Sequence, residues 1–453
     1  MKTREGYTER VARFVVDTRL ENIPTDAVRT AKNAILDCLG VALAGSREKC
    51  ARICTDQARL ENAFGAACLW GQGFKSSATL AAFANGTAAH AMDYDHSVYW
   101  GQPTSGLVPS LMSLGESLGA GGRELLEAFV AGFEFTSKAA KEVTDETRNG
   151  WTSTGTLGSL GAALGCAKLL GIDSDRVQQA LGIAGSMAGG LVCNYGTMSK
   201  PLHAGLAARN GVLAAQLAQR GYSANPKSLE SENGFYQGFL PFVRDSGSLD
   251  ELGSFYELSR GIKIKNYPCG GLTHSAIDAV LEMRTHHPLA AEMIESIEVE
   301  VPQQTYKRIA FLTPQTGLEG KFCMGYIVAR AIIDGKITLD AFTDRAVREE
   351  SILELARRVH MRPNRSVAES PGLGRPCKVS VLLKNGQSYA RHVEHEKGSR
   401  EAPLSPQEIR AKFIDCAGRC IEAPSIQKTL EYVEHLEELH DLRPLCENLM
   451  GAS

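Results

Sequence analysis

The sequence predicts a mainly α-helical protein with a second, smaller α+β domain. Three observations predict it. Up to about residue 265 the apolar residues recur every three to four positions, in stretches rich in Ala, Gly and Leu. After Tyr267-Pro268 the pattern switches to alternation over short runs bounded by turn residues. From Ser405 onward helical periodicity returns. With 453 residues the chain exceeds one compact core. The expected division is a helical domain from 1–267 and 401–453 and an α+β domain over 268–400. A cleft between two domains is the default place for a site.

Taken in order, the N-terminus MKTREGYTERVARFVVD is charged and amphipathic, without the apolar core of a signal peptide. Ala27–Ala44 places Ala31, Ile35, Cys38, Leu39 and Val41 near one helical face. Gly155–Leu170 and Gly205–Gln219 are small-residue helices suited to close approach, with Gly171 and Gly221 where C-terminal caps belong. Ile294–Val301 and Cys377–Leu383 alternate as strands with one buried face. Lys384-Asn385-Gly386-Gln387 is a hairpin signal leading into a strand at Ser388–Val393. Helices are expected at Ser275–Met283 and Phe322–Ile333.

Composition narrows the function. The chain is 43% apolar and 22% charged, and its net charge of −3 gives no electrostatic reason for nucleic acid or an anionic membrane. No run of about 18 apolar residues suggests a membrane span, and a cytoplasmic location is expected. Among twelve cysteines none forms a CxxC pair; the nearest spacings are Cys50/Cys54 and Cys416/Cys420. The cysteines read as buried small hydrophobes, and no metal site is expected.

Four segments could carry chemistry. In Asn85–Glu116, His90, Asp93, Asp95, His96 and Ser97 crowd into eight positions. On a helix His90, Asp93, Tyr94 and Ser97 share one face and could line a polar pocket; alternatively the helix ends there and Asp and Ser cap a turn before Gly101. In Lys200-Pro201-Leu202-His203, Pro201 fits a first helical turn, which puts Lys200 at a helix mouth as a carboxylate or phosphate receptor. His203 reads more readily as a packed histidine. Lys265-Asn266-Tyr267-Pro268-Cys269-Gly270-Gly271-Leu272-Thr273-His274 is an irregular loop at the domain change, bringing Lys265 and His274 near the expected cleft. Tyr326, opening a helix, is a packing residue or a stabiliser of a developing oxyanion.

Together and in this order, NGTAAHAMDYD, STGTLGSLGAALGCAKLLGID, KPLHAGLAARNGVLAAQLAQRGY, KNYPCGGLTHSAID and KFCMGYIVARAIIDGKITLDAFTD resemble the MmgE/PrpD family over nearly the whole chain. The resemblance implies a large helical domain with an inserted α+β domain, a homodimer, and action on small polycarboxylates without a cofactor, as in 2-methylcitrate dehydratase, cis-aconitate decarboxylase and iminodisuccinate epimerase. It carries Asp93, Lys200, Lys265 and Tyr326 over as pocket residues, with Ser97 in place of a frequent threonine. Two family histidines are replaced, by Gln102 and by Thr152. Neither replacement relays protons readily near neutral pH, so both are assigned to substrate binding with Lys265 and His274. His96 is the candidate that takes over, making the expected catalytic set Asp93, His96, Ser97, Lys200 and Tyr326. The leading expectation is a cofactor-independent lyase, foremost a dehydratase on a hydroxy-polycarboxylic acid. An isomerase or epimerase on a carbon acid, or a silent carboxylate-binding member, are the alternatives.

Overall fold

A computed structural model describes residues 6–99, 101–141, 143, 149–240, 247–309, 311–364 and 375–451. It is mainly helical, with a small sheet, and divides into two compact units, 1–262 with 405–453 and 263–404. Residues 1–5 of the amphipathic N-terminus lie outside the described residues, and its helix α1 runs Tyr7–Asp17.

The first unit is built on α2 (Thr25–Gly45), α3 (Lys49–Leu60), α4 (Ala78–Ala91), α5 (Pro103–Leu118), α6 (Gly122–Ala140), α7 (Thr156–Leu169), α8 (Ser174–Met187) and α9 (Ser199–Gln219). Capping residues set several starts: Ser77 accepts from the Leu80 N–H, and Asp173 from the Arg176 N–H. Gly171 (φ 63°) and Gly221 (φ 89°) end α7 and α9 in left-handed conformation, as the sequence predicts. Small residues let backbones nearly touch. A methyl on Gly205 would sit 2.1 Å from Thr87 Oγ1 and 2.5 Å from the Phe83 carbonyl, so α9 lies directly on α4. A short hairpin, β1 (Ala67–Leu69) with β2 (Phe74–Ser76), precedes α4 and has no sequence signal strong enough to predict it. The C-terminal tail supplies helices Pro406–Ala417, Ala423–Glu434 and Arg443–Leu449, the first opened by a Ser405–Glu408 capping box.

The second unit centres on a four-stranded sheet ordered β4 (Val359–Pro363), β3 (Ile294–Val301), β5 (Cys377–Leu383), β6 (Ser388–Val393). β3 pairs parallel with β4 and antiparallel with β5. A bulge between Ile294 and Ser296 breaks the two-residue period, which lets Ile294 and Ile297 both face the core. Asn385-Gly386 does make the hairpin turn: Gly386 (φ 85°) donates to the Leu383 carbonyl, and Leu383 N–H donates to Gln387. Helices His274–His286 and Met324–Asp334 pack on the sheet, with Ile277, Val280, Ile327 and Val328 in the core. Among the described residues no helix is long and apolar enough to cross a membrane, and no group of three or more His, Cys, Asp or Glu could hold a metal ion. Nine of the twelve cysteines are buried, and all are free thiols.

Candidate active site in the helical unit

The His90–Ser97 segment is not a continuous helix. α4 stops at Ala91, and Asp93 takes a left-handed φ of 51°. That conformation costs a non-glycine residue about 1–3 kcal/mol, with Asp among the more tolerant types. It breaks the shared helical face read from the spacing and sends successive side chains in different directions. The Asp93 carboxylate meets the Lys200 ammonium at 2.6 Å, both nearly buried. Lys200 lies inside the first turn of α9, one residue before Pro201, and not at an exposed helix mouth. Burial works against its charge, but the carboxylates of Asp93 and Asp95 outweigh it and hold the Lys200 pKa above the ordinary lysine value.

Asp95, two residues on, turns inward. Both of its carboxylate oxygens contact His90 Nδ1, at 2.9 and 3.0 Å, in a pair that is essentially dry. Behind it, Asp37 of α2 pairs with Lys412 of the tail at 2.6 Å. Lys412 also donates to the Tyr94 carbonyl at 2.9 Å and lies 3.8 Å from the centre of the Tyr94 ring. Burial raises the Asp37 pKa, and Lys412 opposes the rise.

His203, one turn after Lys200 on α9, joins this cluster. Its pKa is pushed down to about 4 by burial first, then by the nearby charges of His90 and Lys200, so it is a neutral imidazole at pH 7. Its Nδ1 has no hydrogen-bond partner among the described residues. Beside its ring lies Gly190, where a side chain would meet both the His203 ring and Thr152 Cγ2. Thr152 is buried; its N–H donates to the Gly190 carbonyl, and its Oγ1 accepts from Tyr195 Oη at 3.4 Å. Lys200 lies 5.8 Å from the Tyr195 ring centre. Asp93, Lys200, His203, Tyr195 and Thr152 thus form one connected neighbourhood. Gln102 precedes α5 and accepts through Oε1 from Thr154 Oγ1 at 2.8 Å. Ser97 is half-buried, next to the Val98–Gly101 bridge.

Two expected catalytic residues lie in packed surroundings. His96 is fully buried, its Nδ1 2.5 Å from Thr104 Oγ1 and its ring stacked on Phe133. Tyr326 belongs to the core of the second unit, where its hydroxyl donates to the Ala341 carbonyl and its ring meets Phe342 edge-on. Burial, above all, raises its pKa and leaves it a poor proton donor.

In that second unit, Lys265 and His274 are buried at the two ends of the Pro-Gly-Gly loop. Lys321 pins the loop, its Nζ donating to the Pro268 carbonyl at 3.1 Å while its own carbonyl accepts from Gly270 N–H. His274 opens a helix with its ring edge-on to Tyr267 and Nε2 3.4 Å from the Cys269 carbonyl. Burial, then the charges of Lys263 and Lys265, drives its pKa far down. The Lys263–Glu396 ion pair closes the same cluster: Glu396 also accepts from the Arg375 N–H, and although burial opposes its charge, Lys263 holds its pKa at about 2.

Comparison with known proteins agrees with the architecture. Residues 9–242 match the MmgE/PrpD N-terminal domain and residues 267–438 the MmgE/PrpD C-terminal domain. The chain is 28% identical to the cis-aconitate decarboxylase of Mus musculus, over 99% of this chain and 94% of that protein. It is 28% identical to that of Homo sapiens over 99% and 95%, and 27% identical to that of Aspergillus terreus over 98% and 96%.

Proposed function

The chain belongs to the MmgE/PrpD family, and on that premise we propose that it is a cofactor-independent lyase acting on a small polycarboxylate through a carbanion formed beside a carboxylate. One observation carries the reading: the buried Lys200–Asp93 pair, with neutral His203 one turn away. A carbanion next to a carboxylate spreads its charge onto the carboxylate oxygens. A fixed ammonium in a dry setting stabilises that charge far better than water does, because it needs no reorganisation as the charge develops. Asp93 keeps Lys200 ionised and aimed.

Decarboxylation makes the smallest demand on this set. The carbon–carbon bond to one carboxylate breaks, carbon dioxide leaves, the electron pair passes into the remaining unsaturated acid, and a proton returns to carbon. That sequence needs a cation and a proton donor but no base, which suits a site holding Gln102 and Thr152. Relatives matched along 94–96% of their length are cis-aconitate decarboxylases, which points to an unsaturated tricarboxylate. Dehydration is the second reading. It needs a base for a proton beside a carboxylate, and His203, neutral with a buried Nδ1 that has no hydrogen-bond partner among the described residues, offers one.

The test is incubation with cis-aconitate, citrate and 2-methylcitrate, following carbon dioxide and ultraviolet absorbance. Carbon dioxide from cis-aconitate supports the first reading, and a new absorbance from a hydroxy acid without carbon dioxide supports the second. Lys200→Met should lower kcat by about 10²–10³-fold. Full turnover by that variant, or no turnover of any acid by the natural chain, overturns the proposal.

A further inference from the structure

We propose that His90, held by Asp95, is the group that returns the proton to the substrate carbanion in this site. This rests on the lyase reading above and names its proton carrier. Three features support it. Both Asp95 oxygens face His90 Nδ1, so Nδ1 carries the proton and Nε2 becomes the exchanging nitrogen, directed away from Asp95. The pair is dry, His90 at 2% exposure and Asp95 at 0%, so the carboxylate acts on the ring through a low dielectric. The charges that His90 and Asp95 exert fall on His203 and Lys200, members of the candidate site.

The other side chains of this neighbourhood named for the role are less suited. His96 is committed to Thr104 and Phe133. His203 is held neutral. Gln102 and Thr152 carry no transferable proton near neutral pH. The charged groups around the dyad are Asp93 on its own turn, Lys200 and His203 from α9, Asp37 from α2 and Lys412 from the tail helix Pro406–Ala417. In the step itself, the His90 Nε2–H bond breaks, its proton forms the new C–H bond with the carbanion pair, and the neutral ring is reprotonated from solvent between turnovers.

His90→Asn is the informative variant, because its amide N–H can still donate to Asp95 from about the position of Nδ1 while no nitrogen remains to pass a proton. With cis-aconitate, kcat should fall about 10²–10⁴-fold with KM little changed. Asp95→Asn keeps the shape but frees the tautomer, and should also lower kcat more than it raises KM. A dyad that only packs the core would instead lower the melting temperature of both variants while leaving the kcat of the folded protein within a few-fold; that result overturns the inference while leaving the lyase reading intact. If the natural chain turns over no acid, the lyase reading fails separately. The dyad is then judged by nitrogen-15 spectra of its histidines with tricarballylate added. A His90 Nε2 signal that shifts on addition supports the inference, and one that does not shift overturns it.

Discussion

Removing Lys412 should cost more stability than any other single change near the candidate site. The Lys412 ammonium is 6% exposed and its partner Asp37 is fully buried, 2.6 Å away. Lys412→Met keeps the length and apolar stem of the side chain but leaves the Asp37 carboxylate uncompensated. Breaking a buried pair in this way costs about 3–5 kcal/mol, and losing the donor to the Tyr94 carbonyl adds about 0.5–1.5 kcal/mol. A loss of roughly 4–6 kcal/mol is a large part of the 5–15 kcal/mol that holds typical domains folded. The loss should also depend on pH. Burial already raises the Asp37 pKa above its unfolded value, and without Lys412 it rises further. The penalty on the charged carboxylate is therefore full above the folded pKa and shrinks as pH falls toward the unfolded value near 3.9, by at most about 1.4 kcal/mol per unit. Urea unfolding followed by tryptophan fluorescence reads the first unit alone, because Trp70, Trp100 and Trp151 all lie within 1–262. Asp37→Asn added to Lys412→Met should restore more than half of the loss. A single variant within 0.5 kcal/mol of the natural chain, or a loss that grows toward low pH, refutes the reasoning.

His203 is neutral in the fold with a pKa of about 4, whereas the unfolded chain binds a proton below about 6.5, so its contribution is full above that pH and is lost as pH falls toward 4. His203→Gln should therefore flatten the acid-side decline of stability, and equal slopes for variant and natural chain would contradict the burial argument. Gly205→Ala forces a methyl against the Phe83 carbonyl and should cost about 1–3 kcal/mol in urea unfolding; an unchanged midpoint would mean α4 and α9 separate without penalty. Tyr326→Phe should keep kcat within a few-fold and lower stability by about 1–3 kcal/mol, as the Ala341 carbonyl loses its donor; a hundredfold loss of kcat would restore the tyrosine to the chemistry.

The fold class was legible because it depends on local periodicity. The alternation of Ile294–Val301 and Cys377–Leu383, the Asn385-Gly386 turn and the glycines after α7 and α9 each encode their structure within a few residues. β4 was not legible: Val359–Pro363 is an edge strand ending in proline, and only its parallel partner defines it. The site divides the same way. Asp93 and Lys200 stood out separately, but their contact depends on a left-handed residue that no periodicity encodes. The helical-face reading of His90, Asp93, Tyr94 and Ser97 failed for that reason. His96 looked available because a histidine in a polar run looks exposed; Thr104 and Phe133, which bury it, come from other helices. Asp37 and Lys412 sit in ordinary amphipathic helices and become notable only when folding brings the tail against α2.

These separate failures have a common origin. Asp37, Asp93 and Asp95 are three buried carboxylates within one neighbourhood, each matched to a different cation or imidazole: Lys412, Lys200 and His90. Buried pairs of this kind stabilise a fold little or not at all against apolar residues of equal volume. Asp93 adds backbone strain of about 1–3 kcal/mol at the point where two of the pairs meet. A chain selected for stability alone would have no reason to keep them together. A site that must hold an ammonium charged, an imidazole in one tautomer and a second imidazole neutral does, because each state requires its own counter-charge or its own burial. Asp93 and Asp95, two residues apart in one turn, supply the counter-charges of Lys200 and His90, while burial on α9 keeps His203 neutral.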